Sequence, residues 1–168
     1  MAEPAHASIT LIAIDEQALV GVAGALAAQV EAGGVIHLRG PLGAGKTTFA
    51  RALLHALGVK ARVKSPTYSL IESYSAGTLA IHHLDLYRIA AADELEWLGL
   101  ADLDAASTLW LIEWPERAIE AIPEADLAVN LAHAGASRDL QLDALSARGG
   151  RWLSGLENML GRDRQTAS

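Results

Sequence analysis

Cysteine is absent from the chain. That excludes disulfides, thiolate zinc sites and a catalytic thiol, and it suits a reducing compartment. Positive charge is scarce as well: 13 Lys and Arg stand against 20 Asp and Glu, for a net charge of -7. A protein that grips nucleic acid by itself needs clustered cations to neutralise phosphates, so independent nucleic-acid binding is not expected. The densest basic group, Lys60, Arg62 and Lys64, reads as a solvated loop edge. No apolar run approaches membrane-spanning length, and Met1-Ala2-Glu3-Pro4 does not open a basic region followed by a long apolar stretch. A soluble, cytoplasmic protein with no membrane association is expected. Internal repeats are also missing.

What is present suits one domain. A chain of 168 residues, 51% of them hydrophobic, can bury a real core. The core is expected over about 9–145, with a C-terminal helix and tail over 149–168.

The most informative stretch is Gly40-Pro41-Leu42-Gly43-Ala44-Gly45-Lys46-Thr47-Thr48, a phosphate-binding loop of the form G-x-x-x-x-G-K-[ST]. Glycines at 40, 43 and 45 allow the backbone to fold into a concave nest whose N–H groups bind oxyanions. Lys46 can then reach the β- and γ-phosphates, and the Thr47 hydroxyl can ligate Mg²⁺. The start of the following helix adds positive potential. Both flanks agree: Val35 to Leu38 reads as a buried strand, and Phe49 to Leu57 as a helix ended by Gly58. Pro41 carries no N–H, so the loop has no donor there.

Elsewhere, residues 1–8 read as a loose end and Ile9 to Ile14 as a strand. Asp15 offers an N-cap to a helix from Glu16 to about Glu31, stopped by Gly33-Gly34. Ser65-Pro66-Thr67 reads as a fixed turn. Tyr68 to Tyr74 and Thr78 to Leu84 form an expected antiparallel hairpin around Ser75-Ala76-Gly77. Ala91 to Leu100 reads as a short helix ended by Gly99, and Thr108 to Glu113 as a buried strand. In doubly wound nucleotide folds ligands bind beyond the carboxyl ends of the strands, which brings Glu113 near the phosphates. Pro115 is expected to open a helix reaching Ile122. Asp126 to His133 and Arg138 to Ala144 alternate as a second hairpin. Gly149-Gly150 is expected to break the chain before a helix from Arg151 to about Leu160, followed by a loose polar tail.

Four ordered blocks then carry a resemblance: Gly43-Ala44-Gly45-Lys46-Thr47-Thr48, Ser65-Pro66-Thr67-Tyr68, His83-Leu84-Asp85-Leu86-Tyr87-Arg88 and Ile112-Glu113-Trp114-Pro115-Glu116. Over about Ile9 to Asp143 the chain resembles the TsaE (YjeE) family, small ATPases required in bacteria for threonylcarbamoyladenosine modification of tRNA. The family usually has an acidic residue where this chain has Pro41. The resemblance implies an α/β fold of the P-loop NTPase type, three-layered, with a mixed parallel and antiparallel central sheet flanked by helices. It implies that ATP or ADP is bound by Lys46 and the loop backbone over Gly43 to Thr48, with Mg²⁺ on Thr47. Asp85 and Glu113 would complete the metal and water site; which of them touches Mg²⁺ directly is open. Thr67 would sense the γ-phosphate from a switch-like loop, and Trp114 would serve as a conformational or partner-facing element. The implied partners are TsaB and TsaD, with tRNA reached only through their complex and ATP hydrolysis resetting it.

The remaining polar and aromatic residues have plainer readings. His82 and His83 are neighbours on a strand and point to opposite faces, so they are expected to be structural or hydrogen-bonding rather than chelating. Arg88 is expected to pair with a nearby carboxylate, with a γ-phosphate contact as the alternative. Arg138 reads as an ordinary strand-end arginine, with a place flanking the nucleotide as the alternative, and Trp97, Trp110 and Trp152 read as core or surface-patch residues.

A small-molecule kinase would share the loop, but such kinases usually bring an Arg-rich lid, and none is seen. A binding module with incidental hydrolysis stays open. The guanine-selecting N-K-x-D pattern is absent, which favours adenine by elimination. No arginine finger is evident, so turnover of the isolated chain is expected to be slow.

Overall fold

A computed structural model describes residues 7–100 and 107–166, with side chains of the last helix described as far as Arg162. The loose start expected over 1–8 lies outside the described residues except for Ala7 and Ser8, and Ser8 already belongs to a strand. Seven strands, β1 (Ser8–Ile14), β2 (Gly34–Arg39), β3 (Ile71–Ala76), β4 (Leu79–Asp85), β5 (Thr108–Glu113), β6 (Leu127–Ala134) and β7 (Ser137–Ala144), form one sheet. Their order is β1-β7-β6-β2-β5-β4-β3. The middle four, β6-β2-β5-β4, run parallel, and antiparallel pairings add β7 and β1 on one side and β3 on the other. The fold is the expected α/β architecture with a mixed sheet and flanking helices.

Helices α1 (Glu16–Ala27), α2 (Lys46–Leu57) and α3 (Ala147–Thr166) share one face of the sheet. Leu19, Leu26, Phe49, Leu53 and Leu153 pack there on Ile36, Leu38, Leu109 and Leu111. The opposite face is covered more thinly, by 3₁₀ turns at Ala92–Leu98 and Pro115–Arg117 and the segment after them, with Leu84, Trp110, Ile112, Leu95 and Ile122 in contact. Burial on both faces explains why β5 is apolar from Leu109 to Ile112 and buried throughout. Each fully buried Leu or Phe of this core removes apolar area worth about 2 kcal/mol.

Local signals set most boundaries. Asp15 caps α1 by accepting from Ala18 N at 2.8 Å. Gly58, at φ 100°, ends α2 in a Schellman pattern, with Val59 N donating to Leu54 O. Four expectations are corrected. α1 stops at Ala27 instead of Glu31, because the chain tightens into successive turns, Gln29 N to Leu26 O and Gly33 N to Val30 O, that keep Val30 buried. The helix expected from Pro115 to Ile122 is one 3₁₀ turn ending at Arg117; Ala118 leaves helical geometry at φ -151°. Gly149-Gly150 does not break the chain, since α3 begins at Ala147 and continues to Thr166, where a loose tail was expected. The first hairpin is also shifted. β3 starts at Ile71 because Leu70 takes φ 66°, and the reversal falls at Gly77-Thr78, with Ala76 opposite Leu79.

Because β2, β4, β5 and β6 are parallel, their carboxyl ends lie along one edge of the sheet. That edge carries the site.

Candidate functional site

β2 ends at Arg39 and the chain turns through Gly40, Gly43 and Gly45, all at positive φ (146°, 75° and 113°), before α2 begins at Lys46. Glycine is required at one of these positions for room as well. A Cβ on Gly40 would drive into the backbone carbonyl of Leu131, whereas one on Gly45 would first meet the end of the Arg138 side chain, Nη1 at 2.6 Å, which can swing aside. α2 starts without a side-chain cap, so the N–H groups of its first turn lack intrahelical partners and its positive end faces a cleft of about 530 Å³.

Lys46 is buried and folds back on the loop, donating to Gly40 O at 2.6 Å and Pro41 O at 2.9 Å. Pro41 therefore contributes its carbonyl, which also accepts from Ala44 N at 3.2 Å. Burial lowers the Lys46 pKa from its ordinary value, against the opposing pull of Glu113, Asp85 and Glu116.

The two acids come from adjacent strands in register, Asp85 of β4 opposite Glu113 of β5. Both are buried. Glu113 accepts from Thr47 Oγ1 at 2.9 Å on Oε1 and is held by His83 Nε2 at 2.6 Å on Oε2. Asp85 accepts from Tyr87 N at 3.0 Å and from Thr67 Oγ1 at 3.2 Å. Since the Thr67 proton points to Asp85, Ser65 Oγ, 2.6 Å from Thr67 Oγ1, is the donor in that pair. Burial, followed by the charge of Glu113, raises the Asp85 pKa above the ordinary carboxylate value, while the Tyr87 and Thr67 hydrogen bonds pull it down.

Gly43, Gly45, Lys46, Thr47 and Thr48 line the cleft, and so do Thr67, Asp85 and Glu113. Ala44 does not: its side chain is buried in the core and its N–H is spent within the loop. Trp114, at φ 58°, turns the chain after Glu113 and lays its indole over Lys46 and against Tyr87. Arg88 stands over the Tyr68 ring at 4.5 Å and lines the cleft; the carboxylate partner expected for it is not found among the described residues.

Arg138 stands at the start of β7, as a strand-end arginine should, and its position also favours the alternative of flanking a nucleotide. It lines the cleft beside Gly45, as Glu16 does at the start of α1. The signal was topological. If β6 lies parallel to β2, the turn of the β6–β7 hairpin falls at the carboxyl edge, and the first residues of β7 sit beside the loop. His133, opposite Arg138 in that hairpin, donates from Nε2 to Leu42 O at 2.9 Å and pins the loop to the sheet.

Of the two histidines on β4, His82 packs on Trp110 and pairs with Ser73, while His83 faces the site. Trp110 and Trp152 are core residues, whereas Trp97 is 90% exposed.

Chemically, the cleft offers a helix N-terminus, a buried ammonium, a hydroxyl and two carboxylates. Its oxygen donors suit a hard cation. Among the described residues no three His, Cys, Asp or Glu side chains converge into a metal cage of their own, and no helix is long and apolar enough to cross a membrane.

Comparison with known proteins gives a consistent result. Residues 13–140 match the family model described as threonylcarbamoyl adenosine biosynthesis protein TsaE. The chain is 40% identical over 124 residues to a tRNA threonylcarbamoyladenosine biosynthesis protein TsaE of Haemophilus influenzae, covering 74% of this chain and 78% of that one. It is 38% identical over 109 residues to the protein of the same name from Bacillus subtilis, covering 65% and 68%. Among solved structures, Bacillus subtilis YdiB superposes with a TM-score of 0.75 at 25% identity, over 94% of this chain and 99% of that one.

Proposed function

The chain belongs to the TsaE family of threonylcarbamoyladenosine biosynthesis proteins, and from that premise we propose that it is a Mg²⁺-dependent ATPase, cytoplasmic, acting as a nucleotide-driven switch on a TsaB–TsaD complex. The observation that carries the reading is the convergence of Lys46, Thr47, Asp85 and Glu113, from one helix and two strands, at a single uncapped helix start.

The roles follow from reach and charge. The loop from Gly43 to Thr48, apart from the N–H of Ala44, would cradle the phosphates, and Lys46 would exchange its bonds to Gly40 O and Pro41 O for phosphate oxygens. Thr47, with Glu113 or Asp85, holds Mg²⁺, which when bound neutralises charge on the phosphates. The other carboxylate orients water. Thr67, bonded to Asp85, reports occupancy of the γ-phosphate position to the Ser65–Leu70 turn. Phosphoryl transfer depends mainly on positioning and electrostatics, so no more reactive group is required.

Leu42 and Tyr68 are exposed beside the cleft. They support a partner completing the site, with tRNA reached only through the complex and slow turnover by the chain alone. The test is ATP hydrolysis by the purified chain, then with TsaB and TsaD, then with tRNA. Weak activity that rises with the partners supports the switch. Partners that neither bind nor change the rate sink it, and a metabolite kinase screen would follow.

A further inference from the structure

His83 is fully buried on β4, and its only polar contact among the described residues is the 2.6 Å bond from Nε2 to Glu113 Oε2; Nδ1 has no partner there. A buried imidazole with one nitrogen unpaired is an expensive way to fill a core position that Leu or Val could occupy. The register shows what it accomplishes. Asp85 lies opposite Glu113 and His83 opposite Leu111, so these four side chains share a sheet face and His83 reaches diagonally to the carboxylate. A carboxylate only accepts, so Nε2 carries the proton and Oε2 is occupied from the protein side. The other oxygen, Oε1, meets the Thr47 hydroxyl at the cleft.

We propose that His83 is a specificity-determining positioning residue, restricting Glu113 to one cation-facing oxygen and thereby favouring Mg²⁺ over Ca²⁺. The inference rests on the nucleotide-and-metal reading above, in the arrangement where Glu113 and not Asp85 meets the cation. Ca²⁺ takes six to eight oxygens and often engages a carboxylate through both, whereas Mg²⁺ takes one oxygen per carboxylate in a tight octahedron and keeps several waters. With Oε2 held by an imidazole in a closed interior, Glu113 cannot turn to chelate. Without that bond it can rotate and offer both oxygens.

The test measures ADP affinity by calorimetry in EDTA, in Mg²⁺ and in Ca²⁺, for the wild type, His83→Leu and His83→Gln. In His83→Leu the ratio of Mg²⁺-supported to Ca²⁺-supported affinity should fall on the order of tenfold, while affinity in EDTA stays within about twofold, since the loop and Lys46 are untouched. His83→Gln, whose amide nitrogen can replace Nε2, should recover most of the ratio, and it carries the test if the Leu variant does not fold. An unchanged ratio, or a proportional loss with both ions, overturns the inference and leaves His83 merely structural. A wild-type protein that binds ADP under none of the three conditions overturns the nucleotide reading and this inference with it. If the wild type binds and the variants keep its ion preference, the inference alone fails.

Discussion

The Trp114 indole covers the Lys46 ammonium, with Nζ 4.3 Å from the ring centroid. The pairing depends on an unusual backbone: Trp114 takes φ 58° and ψ 49°, a left-handed conformation that a bulky side chain rarely adopts. In this structure the lysine is thus sandwiched between its own loop carbonyls and an aromatic face. The strain at residue 114 turns the ring that covers it.

Replacing Trp114 separates packing from strain. Trp114→Gly and Trp114→Ala both remove the indole, but only Ala keeps a Cβ in the left-handed region. Trp114→Gly should be the more stable of the two by about 1 kcal/mol, or about 2–4 °C in thermal midpoint for a chain of this size. An alanine variant as stable as the glycine one would contradict the conformation.

Lys46→Ala should weaken ADP binding on the order of a hundredfold, about 2.7 kcal/mol, without unfolding the chain. Direct titration of ADP with a thermal melt as control checks this. Affinity within threefold of wild type would remove Lys46 from the phosphate site.

Glu113→Gln should reduce ATP turnover on the order of a hundredfold or more while leaving ADP affinity in EDTA within about threefold. Equal turnover in variant and wild type would end the catalytic assignment of Glu113.

Glycine positions in the loop should differ sharply in stability. Gly40→Ala pushes a Cβ against the Leu131 carbonyl, a backbone atom that cannot move aside, and should destabilise by about 3 kcal/mol. Gly43 has only His133 Cε1 nearby, at 3.8 Å, so Gly43→Ala should lose only about 1 kcal/mol from its left-handed φ. Urea unfolding of the two variants distinguishes them, and the reverse order would contradict the packing.

Asp85 gives a pH signature in the metal-free protein. Its pKa is raised above the ordinary 3.8, so the folded state holds the proton more tightly than the unfolded chain. That contribution to stability is fully present below 3.8 and is lost as pH rises through the raised folded value. Asp85→Asn still accepts from Tyr87 N and carries no charge. It should therefore gain thermal midpoint over wild type at pH 7, and the gap should shrink toward pH 4. A gap that is flat or grows on acidification would reverse the sign assigned to Asp85.

The loop and Glu113 could be read from the sequence because their chemistry is local, a G-x-x-x-x-G-K-T run and a carboxylate ending an apolar strand, while Asp85 entered through the family resemblance. For Arg138 the choice between a plain strand-end residue and one flanking the nucleotide could not be made, since only strand order places it beside Gly45. Gly149-Gly150 misled for a physical reason. Each glycine weakens a helix by about 1 kcal/mol relative to Ala, which argues for a break, yet Gly149 lies close against the Asp126 carbonyl. Close docking outweighed propensity there. Ala118 and Ile122, four residues apart and both buried, imitate a helical stripe, but a 3₁₀ turn and the bend closed by Ala121 N on Ala118 O bury them equally well. Val30 imitated the continuation of α1 in the same way.

The pairing of Asp85 with Glu113 across β4 and β5 also bears on how such a protein can vary. The separation of the two acids is inherited from the spacing between neighbouring strands, about 4.8 Å, and not from any loop. Extra residues inserted between Gly99 and Thr108 leave both acids where they are, whereas the stretch from Leu86 to Leu98 is tied down by the bond from Tyr87 N to Asp85 and by the burial of Leu86, Ile89 and Leu95. A single residue inserted between Leu79 and His83 turns every later side chain of that strand over, sending Asp85 to the far face and taking His83 from Glu113 with it. Length can drift in the later part of the connection and hardly at all in the strand.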